Sequence, residues 1–129
     1  ELLKEDSLLP AIYLTQKLDI AVVGIGYPNE KSAIMATGYF KENEIESLID
    51  RKVAGELCMQ FYDIYGDTAP YKDDNNVIGM DISMLRSVPR SIGIAGGVEK
   101  LRAVRGAING HYINTLITDI ECAEALISE

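Results

Sequence analysis

Two glycine-centred turns, one lysine and one carboxylate carry the residue types and spacings that could do chemistry. In Ala95-Gly96-Gly97-Val98-Glu99-Lys100, a glycine pair ends the apolar run Ser91-Ile92-Gly93-Ile94-Ala95 and opens a helical pattern with Leu101, Val104 and Ile108 on one face. Glycines let a backbone approach an anion closely, the first N–H groups of a helix lack intrahelical acceptors, and the helix dipole adds positive potential there. Lys100, about one turn into the expected helix, would supply a full charge. The same residues also fit a tight strand-to-helix turn with a solvated lysine. Gly24-Ile25-Gly26 closes a second apolar run, where open α/β sheets place their ligands. It is not a dinucleotide fingerprint, because position 29 is Asn29 where that pattern needs glycine. Glu56, beside Gly55 in an otherwise apolar stretch, is a candidate acceptor for ligand hydroxyls, or a solvated carboxylate at a strand end. His111, the single histidine, lies in the loop-like Asn109-Gly110-His111-Tyr112 with no acid within four residues, which reads as a surface position.

The elements that must position these residues alternate between strand-like and helical patterns, which predicts an α/β domain with a mostly parallel sheet. Ser7 can cap a helix over residues 7–17 with Pro10 in its opening turn. Residues 19–23 form a short apolar run expected as a strand covered on both faces. A helical turn is expected over residues 32–37, stopping at Gly38, and Asn43 with Glu46 resembles a capping box for a helix burying Ile45, Leu48 and Ile49. Residues 60–65 read as an aromatic strand and Gly66-Asp67 as a turn. Asp81 can cap a short helix reaching Arg86, which Pro89 prevents from continuing. Residues 91–95 and 115–117 read as further strands; Thr118 with Glu121 fits a capping box, and Ile120, Ala123 and Ile127 line the last helix.

Composition bounds the function classes. The 129 residues are 47% hydrophobic, enough for one globular core, and no stretch approaches the roughly 20 apolar residues of a membrane span. A soluble, cytoplasmic location with no membrane partner is therefore expected. Cys58 and Cys122 lack metal-ligand spacing and read as buried small hydrophobes; neither a metal nor a cofactor is expected. The net charge of -8 argues against this segment itself gripping DNA. Within it, Arg86, Arg90, Lys100, Arg102 and Arg105 face a single acid, Glu99, over 20 residues, a basic island that suggests a small anionic ligand.

In order along the chain, residues 18–26, Thr37-Gly38-Tyr39-Phe40, Val53-Ala54-Gly55-Glu56, residues 61–66, and the run from Val88-Pro89 through Gly96-Gly97-Val98-Glu99-Lys100 to Thr118-Asp119 resemble the effector-binding domain of the SorC family, also called the DeoR-type sugar-binding domain. The resemblance implies a Rossmann-like parallel sheet sandwiched by helices, similar to the sugar-phosphate isomerase and deaminase fold. It implies a binding module that senses a phosphorylated sugar, assembles as a homo-oligomer (dimer or tetramer), and reaches DNA only through an N-terminal helix-turn-helix of the parent protein. By the same resemblance Lys100 with Gly96 and Gly97 would hold the phosphate, and Gly24, Gly26 and Glu56 would border the sugar. Complete members are about twice this length or more, so the chain is expected to be the C-terminal part of such a domain, without the helix-turn-helix or the first half of the sensor. Two alternatives stand beside this reading: a phosphosugar isomerase or deaminase of similar fold, and an oligomerisation fragment without a working pocket.

Overall fold

The computed structural model describes residues 5–29, 32, 36–38, 40–75 and 79–128. Strands β1 (Ile20–Gly24), β4 (Arg90–Ile94) and β5 (Thr115–Ile117) form a parallel sheet in the order β1-β4-β5. Strands β2 (Gly55–Leu57) and β3 (Gln60–Tyr62) form a separate antiparallel hairpin. The α-helices are α1 (Leu9–Thr15), α2 (Glu42–Asp50), α3 (Leu101–Asn109) and α4 (Ile120–Ile127), and short 3-10 turns cover Ala69–Tyr71, Ile82–Ser87 and Val98–Lys100. The class is α/β, as the alternating pattern predicts. Among the described residues, no helix is long and apolar enough to cross a membrane.

One core joins the inward residues of β1 (Ala21, Val23) to Ala103, Val104 and Ala107 of α3 and Cys122 of α4. Gly93 sits at its centre because a Cβ there would stand 2.9 Å from the methyl ends of Ile25 and Ile113. A second cluster packs Ile45 and Leu48 of α2 around Phe61 and Tyr71, with Phe40 edge-on to Phe61 at 5.3 Å between ring centroids. The hairpin bridges the two, since Leu57 and Tyr62 belong to the first cluster and Phe61 to the second. On the outer edge of β3 the Asn75 side chain accepts the Phe61 N–H at 2.8 Å, standing in for a neighbouring strand.

Several local expectations are corrected. β1 is not covered on both faces within the described residues: burial alternates along it, and Val22 is 61% exposed. Helix α1 is shorter than expected and receives no side-chain cap, so Ser7 does not play that part, although Pro10 does lie in its first turn. The capping contact of α2 comes from Glu44, whose carboxylate accepts the Lys41 N–H at 2.7 Å, and Ile49 is exposed. The aromatic strand ends at Tyr62, where the chain turns through residues 63–66. Asp81 does cap its turn, accepting the Ser83 N–H at 2.8 Å, but the element is 3-10. In α3 the buried stripe is Ala103, Val104, Gly106 and Ala107, with Ile108 exposed, because the hairpin approaches too closely for large side chains: a Cβ on Gly106 would lie 2.6 Å from the Asp63 carbonyl oxygen. In α4 the residue in the core is Cys122, and Ile120 and Ile127 face outward. Cys58 is exposed at the hairpin tip, not buried. The turn expected over residues 32–37 lies largely outside the described residues.

Candidate functional site

The sheet register gathers the glycine turns. β1 and β4 are neighbours with Gly24 opposite Ile94, so the chain leaves both strands at the same edge. β5 ends with Ile117 beside Ile94 and delivers Thr118 and Asp119 there as well. This carboxyl edge is where parallel α/β sheets place ligands, because the helices that follow point their N-termini toward it.

Glu56 reaches the edge through the hairpin. Gly26 and Glu56 form an antiparallel bridge in which the Gly26 N–H donates to the Glu56 carbonyl at 3.0 Å and the Glu56 N–H donates back at 2.9 Å. Glycine leaves room opposite for the Glu56 carboxylate, since a Cβ on residue 26 would overlap it and force the Glu56 side chain to move. That carboxylate accepts the Met59 N–H at 3.1 Å across the two-residue turn, where Cys58 and Met59 both adopt positive φ, +51° and +64°. Such a turn suits the twist of a hairpin but strains side-chain-bearing residues, so the Glu56 bond helps to hold it. From the other side the hairpin is fastened to α3: the Tyr62 hydroxyl donates to the Ala103 carbonyl at 2.9 Å, and a Cβ on Gly55 would lie 2.6 Å from the Ala103 Cβ. Burial pushes the Glu56 carboxyl above the usual carboxylate range, while the Met59 N–H and the nearby Lys100 charge hold it down. Lys100 and Glu56 are thus electrostatic neighbours, brought together from positions 44 residues apart in sequence.

The Gly96-Gly97 turn differs from expectation. Lys100 is not one turn inside a helix; it ends the 3-10 turn Val98–Lys100 and stands immediately before α3. Gly97 has φ +95°, which glycine adopts without penalty, and its N–H donates to the Asp119 carboxylate. The other oxygen of Asp119 accepts the Cys122 N–H at 2.8 Å, so Asp119 is the cap of α4 and clamps that helix to the glycine turn. Those two N–H donors, first Cys122 and then Gly97, hold the Asp119 carboxyl below its ordinary range. Thr118, expected to cap with Glu121, does not; its hydroxyl oxygen is buried without a hydrogen-bond partner. Sequence reasoning had no signal for the Gly97–Asp119 contact, which joins residues 22 apart.

The structure therefore pairs Gly26 with Glu56 at this edge, with Lys100 near enough for its charge to lower the Glu56 pKa, and sets Gly96, Gly97 and Thr118 along the same edge. Gly24 shares the edge but is exposed, and a Cβ there would meet nothing within 4 Å. The basic island is divided. Arg90 opens β4 at the opposite edge of the sheet, and Arg86 is held there, its Nε donating to the Gly110 carbonyl at 2.8 Å and its guanidinium lying over the Tyr112 ring. His111 is exposed with φ +57° just past the far end of α3, about 14 Å of helix from Lys100. Among the described residues, no three His, Cys, Asp or Glu side chains converge to hold a metal ion.

Comparison with known proteins identifies the family. The family model for the sugar-binding domain, Sugar-bind, matches residues 1–128. The sorbitol operon regulator of Klebsiella pneumoniae is 38% identical over 110 residues, covering 85% of this chain and 35% of that protein. The deoxyribonucleoside regulator of Bacillus subtilis is 31% identical over 118 residues, covering 92% of this chain and 37% of the relative. The crystal structure of the full-length Klebsiella regulator superposes with a TM-score of 0.83 at 33% identity, over 98% of this chain and 39% of that one. The chain thus spans little more than a third of the length of these relatives. With the family match running over nearly every residue and the strand edge built as described, the chain belongs to the sugar-binding domain family of SorC/DeoR-type transcriptional regulators.

Proposed function

We propose that the chain senses a phosphorylated sugar on behalf of a transcriptional regulator, without turning it over. The observation that carries this reading is the convergence of Glu56, backed by Gly26, with Lys100 at the carboxyl edge of the sheet. Lys100 and the leading N–H groups of the Val98–Lys100 turn, which have no acceptor within that turn, supply the charge and donors for a phosphate. The Gly97 N–H is engaged by Asp119, so the phosphate sits against Val98 and Glu99, not on Gly97 itself. Glu56 accepts hydrogen bonds from sugar hydroxyls, and the unpartnered Thr118 hydroxyl is a further polar group at this edge. An isomerase or deaminase needs groups placed to move protons between adjacent carbons. Here the single histidine lies at the far end of α3, and the relatives are named as regulators.

The exposed outer face of the parallel sheet supports the remaining part of the proposal. Parallel sheets are normally buried on both sides. The relatives are nearly three times the matched length, so in the parent protein the first half of the sensor packs on this face and completes the pocket. A DNA-binding segment and homo-oligomeric assembly belong to that parent.

Differential scanning fluorimetry of the full-length parent against matched pairs of free and phosphorylated sugars tests the reading. A ligand that binds only the folded state raises the melting temperature, and at one hundred times Kd the gain is about 2.7 kcal/mol. One or more sugar phosphates should stabilise the protein where the free sugar does not, and Lys100→Glu, measured against its own unliganded melting temperature, should remove the shift. A shift that survives Lys100→Glu would overturn the phosphate assignment.

A further inference from the structure

A second cleft, of about 350 Å3, lies at the opposite edge of the sheet from the glycine turns. Its walls come from two segments, residues 65–68 and 81–86, closed at the back by Tyr112. We infer that this cleft is a second binding site, for an unphosphorylated sugar or polyol, formed by Tyr65, Asp67, Thr68, Asp81, Ser83 and Arg86.

The walls are held in place before any ligand arrives. The Tyr112 hydroxyl donates to the Gly66 carbonyl at 2.5 Å, and Gly66, at φ +82°, packs so closely on Gly110 that a Cβ would overlap the Gly110 backbone. The Asp63 carboxylate accepts the N–H groups of both Tyr65 and Asp67 at 2.9 Å, fixing the bend between them. The Arg86 guanidinium is oriented by the Gly110 carbonyl and stacked 4.9 Å over the Tyr112 ring. Such preorganisation spares a small ligand the cost of ordering its site.

The lining chooses the ligand class. A sugar hydroxyl both donates and accepts, and here acceptors and donors alternate. Asp67 commits one carboxylate oxygen to the Ala69 N–H, which leaves its second oxygen as a hydroxyl acceptor, while the Asp81 carboxylate accepts both the N–H and the hydroxyl of Ser83 and is held in place as a negative wall. Arg86, whose Nε is given to Gly110, is the donor through its remaining guanidinium N–H groups; the Thr68 hydroxyl can act either way, and the Ser83 hydroxyl, which donates to Asp81, can only accept. Tyr65, 77% exposed at the rim, presents an aromatic ring of the kind on which the C–H face of a sugar ring packs. Two carboxylates against one guanidinium disfavour a phosphate, so the cleft selects the opposite class from the Lys100 edge. The inference is independent of the phosphosugar reading, because the two sites share no residue.

The test is a titration of the isotope-labelled 129-residue chain, followed by amide NMR shifts, with D-glucose, D-ribose and D-glucitol. Inorganic phosphate and Mg2+ are added separately as controls. Saturable shifts confined to residues 65–68 and 81–86 are expected, with Kd on the order of 1 mM. Tyr65→Ala should weaken binding at least about tenfold, and Tyr65→Phe, which keeps the ring, should restore it. The inference is overturned if none of the three compounds produces saturable shifts at these amides, if Tyr65→Ala binds as tightly as the native chain, or if phosphate or Mg2+ alone moves the same resonances.

Discussion

At Glu56, burial and hydrogen bonding act in opposite directions, and burial is the larger effect. The carboxyl therefore has a higher pKa in the folded chain than in the unfolded one, where a glutamate titrates near 4.3. Its contribution to stability is fully present below that unfolded value and is lost as pH rises through the folded one. Glu56→Gln removes this dependence. The variant should gain stability relative to the native chain at neutral pH, and the gain should shrink toward pH 4; urea titrations across pH 4 to 7 measure it. The same variant should bind the sugar phosphate more weakly, because the amide replaces a charged acceptor with a neutral one. A residue kept only for the hairpin turn would move stability and leave binding alone.

Among the elements, the β2–β3 hairpin is the one on which the site depends. It carries Glu56 and is fastened at three places: the Gly26 bridge, the Asn75 side chain on Phe61, and the Tyr62 hydroxyl on the first turn of α3. Tyr62 is fully buried, and burial drives its phenol pKa well above the ordinary value, so it stays a neutral donor. Tyr62→Phe should cost about 0.5–1.5 kcal/mol, the usual net worth of one internal hydrogen bond, read as a lower urea midpoint with unchanged slope. Because the lost bond ties the hairpin to the helix that follows Lys100, amide exchange should rise in residues 55–62 more than in β1. An unchanged urea midpoint would show that packing alone holds the hairpin.

For the whole molecule, the most telling surface is the outer face of the parallel sheet, with Ile20 and Val22 of β1, Ile94 of β4 and Ile117 of β5 all at least 44% exposed. Contiguous apolar area of this kind on a parallel sheet marks an interface. It should bind the dye ANS strongly in the 129-residue chain. Val22→Lys should reduce that fluorescence while changing stability by no more than about 0.5 kcal/mol, since the side chain is already in water. A loss of cooperative unfolding in this variant would mean that the face is not free in solution.

Local structure was legible in the sequence where a short window determines it. The strands fell within a residue of residues 19–23, 91–95 and 115–117 because short apolar runs ended by a turn or cap signal, glycine after the first two and Thr118-Asp119 after the third, admit few alternatives. The glycine turns were legible for the same reason: the positive φ at Gly97 favours a residue without Cβ, and at Gly26 the missing Cβ leaves space for the Glu56 carboxylate. Only the tertiary structure decided which helix faces point inward. In α4 both Cys122 with Leu126 and Ile120 with Ile127 form apolar stripes, and the choice between them depends on what lies beneath the helix. The capture of the Gly97 N–H by Asp119, the pairing of Gly26 with Glu56, and the division of the basic island between two edges likewise join or separate residues far apart in the chain. Sequence spacing carries no record of such contacts, because strand order and register create them, and these are properties of the folded sheet as a whole.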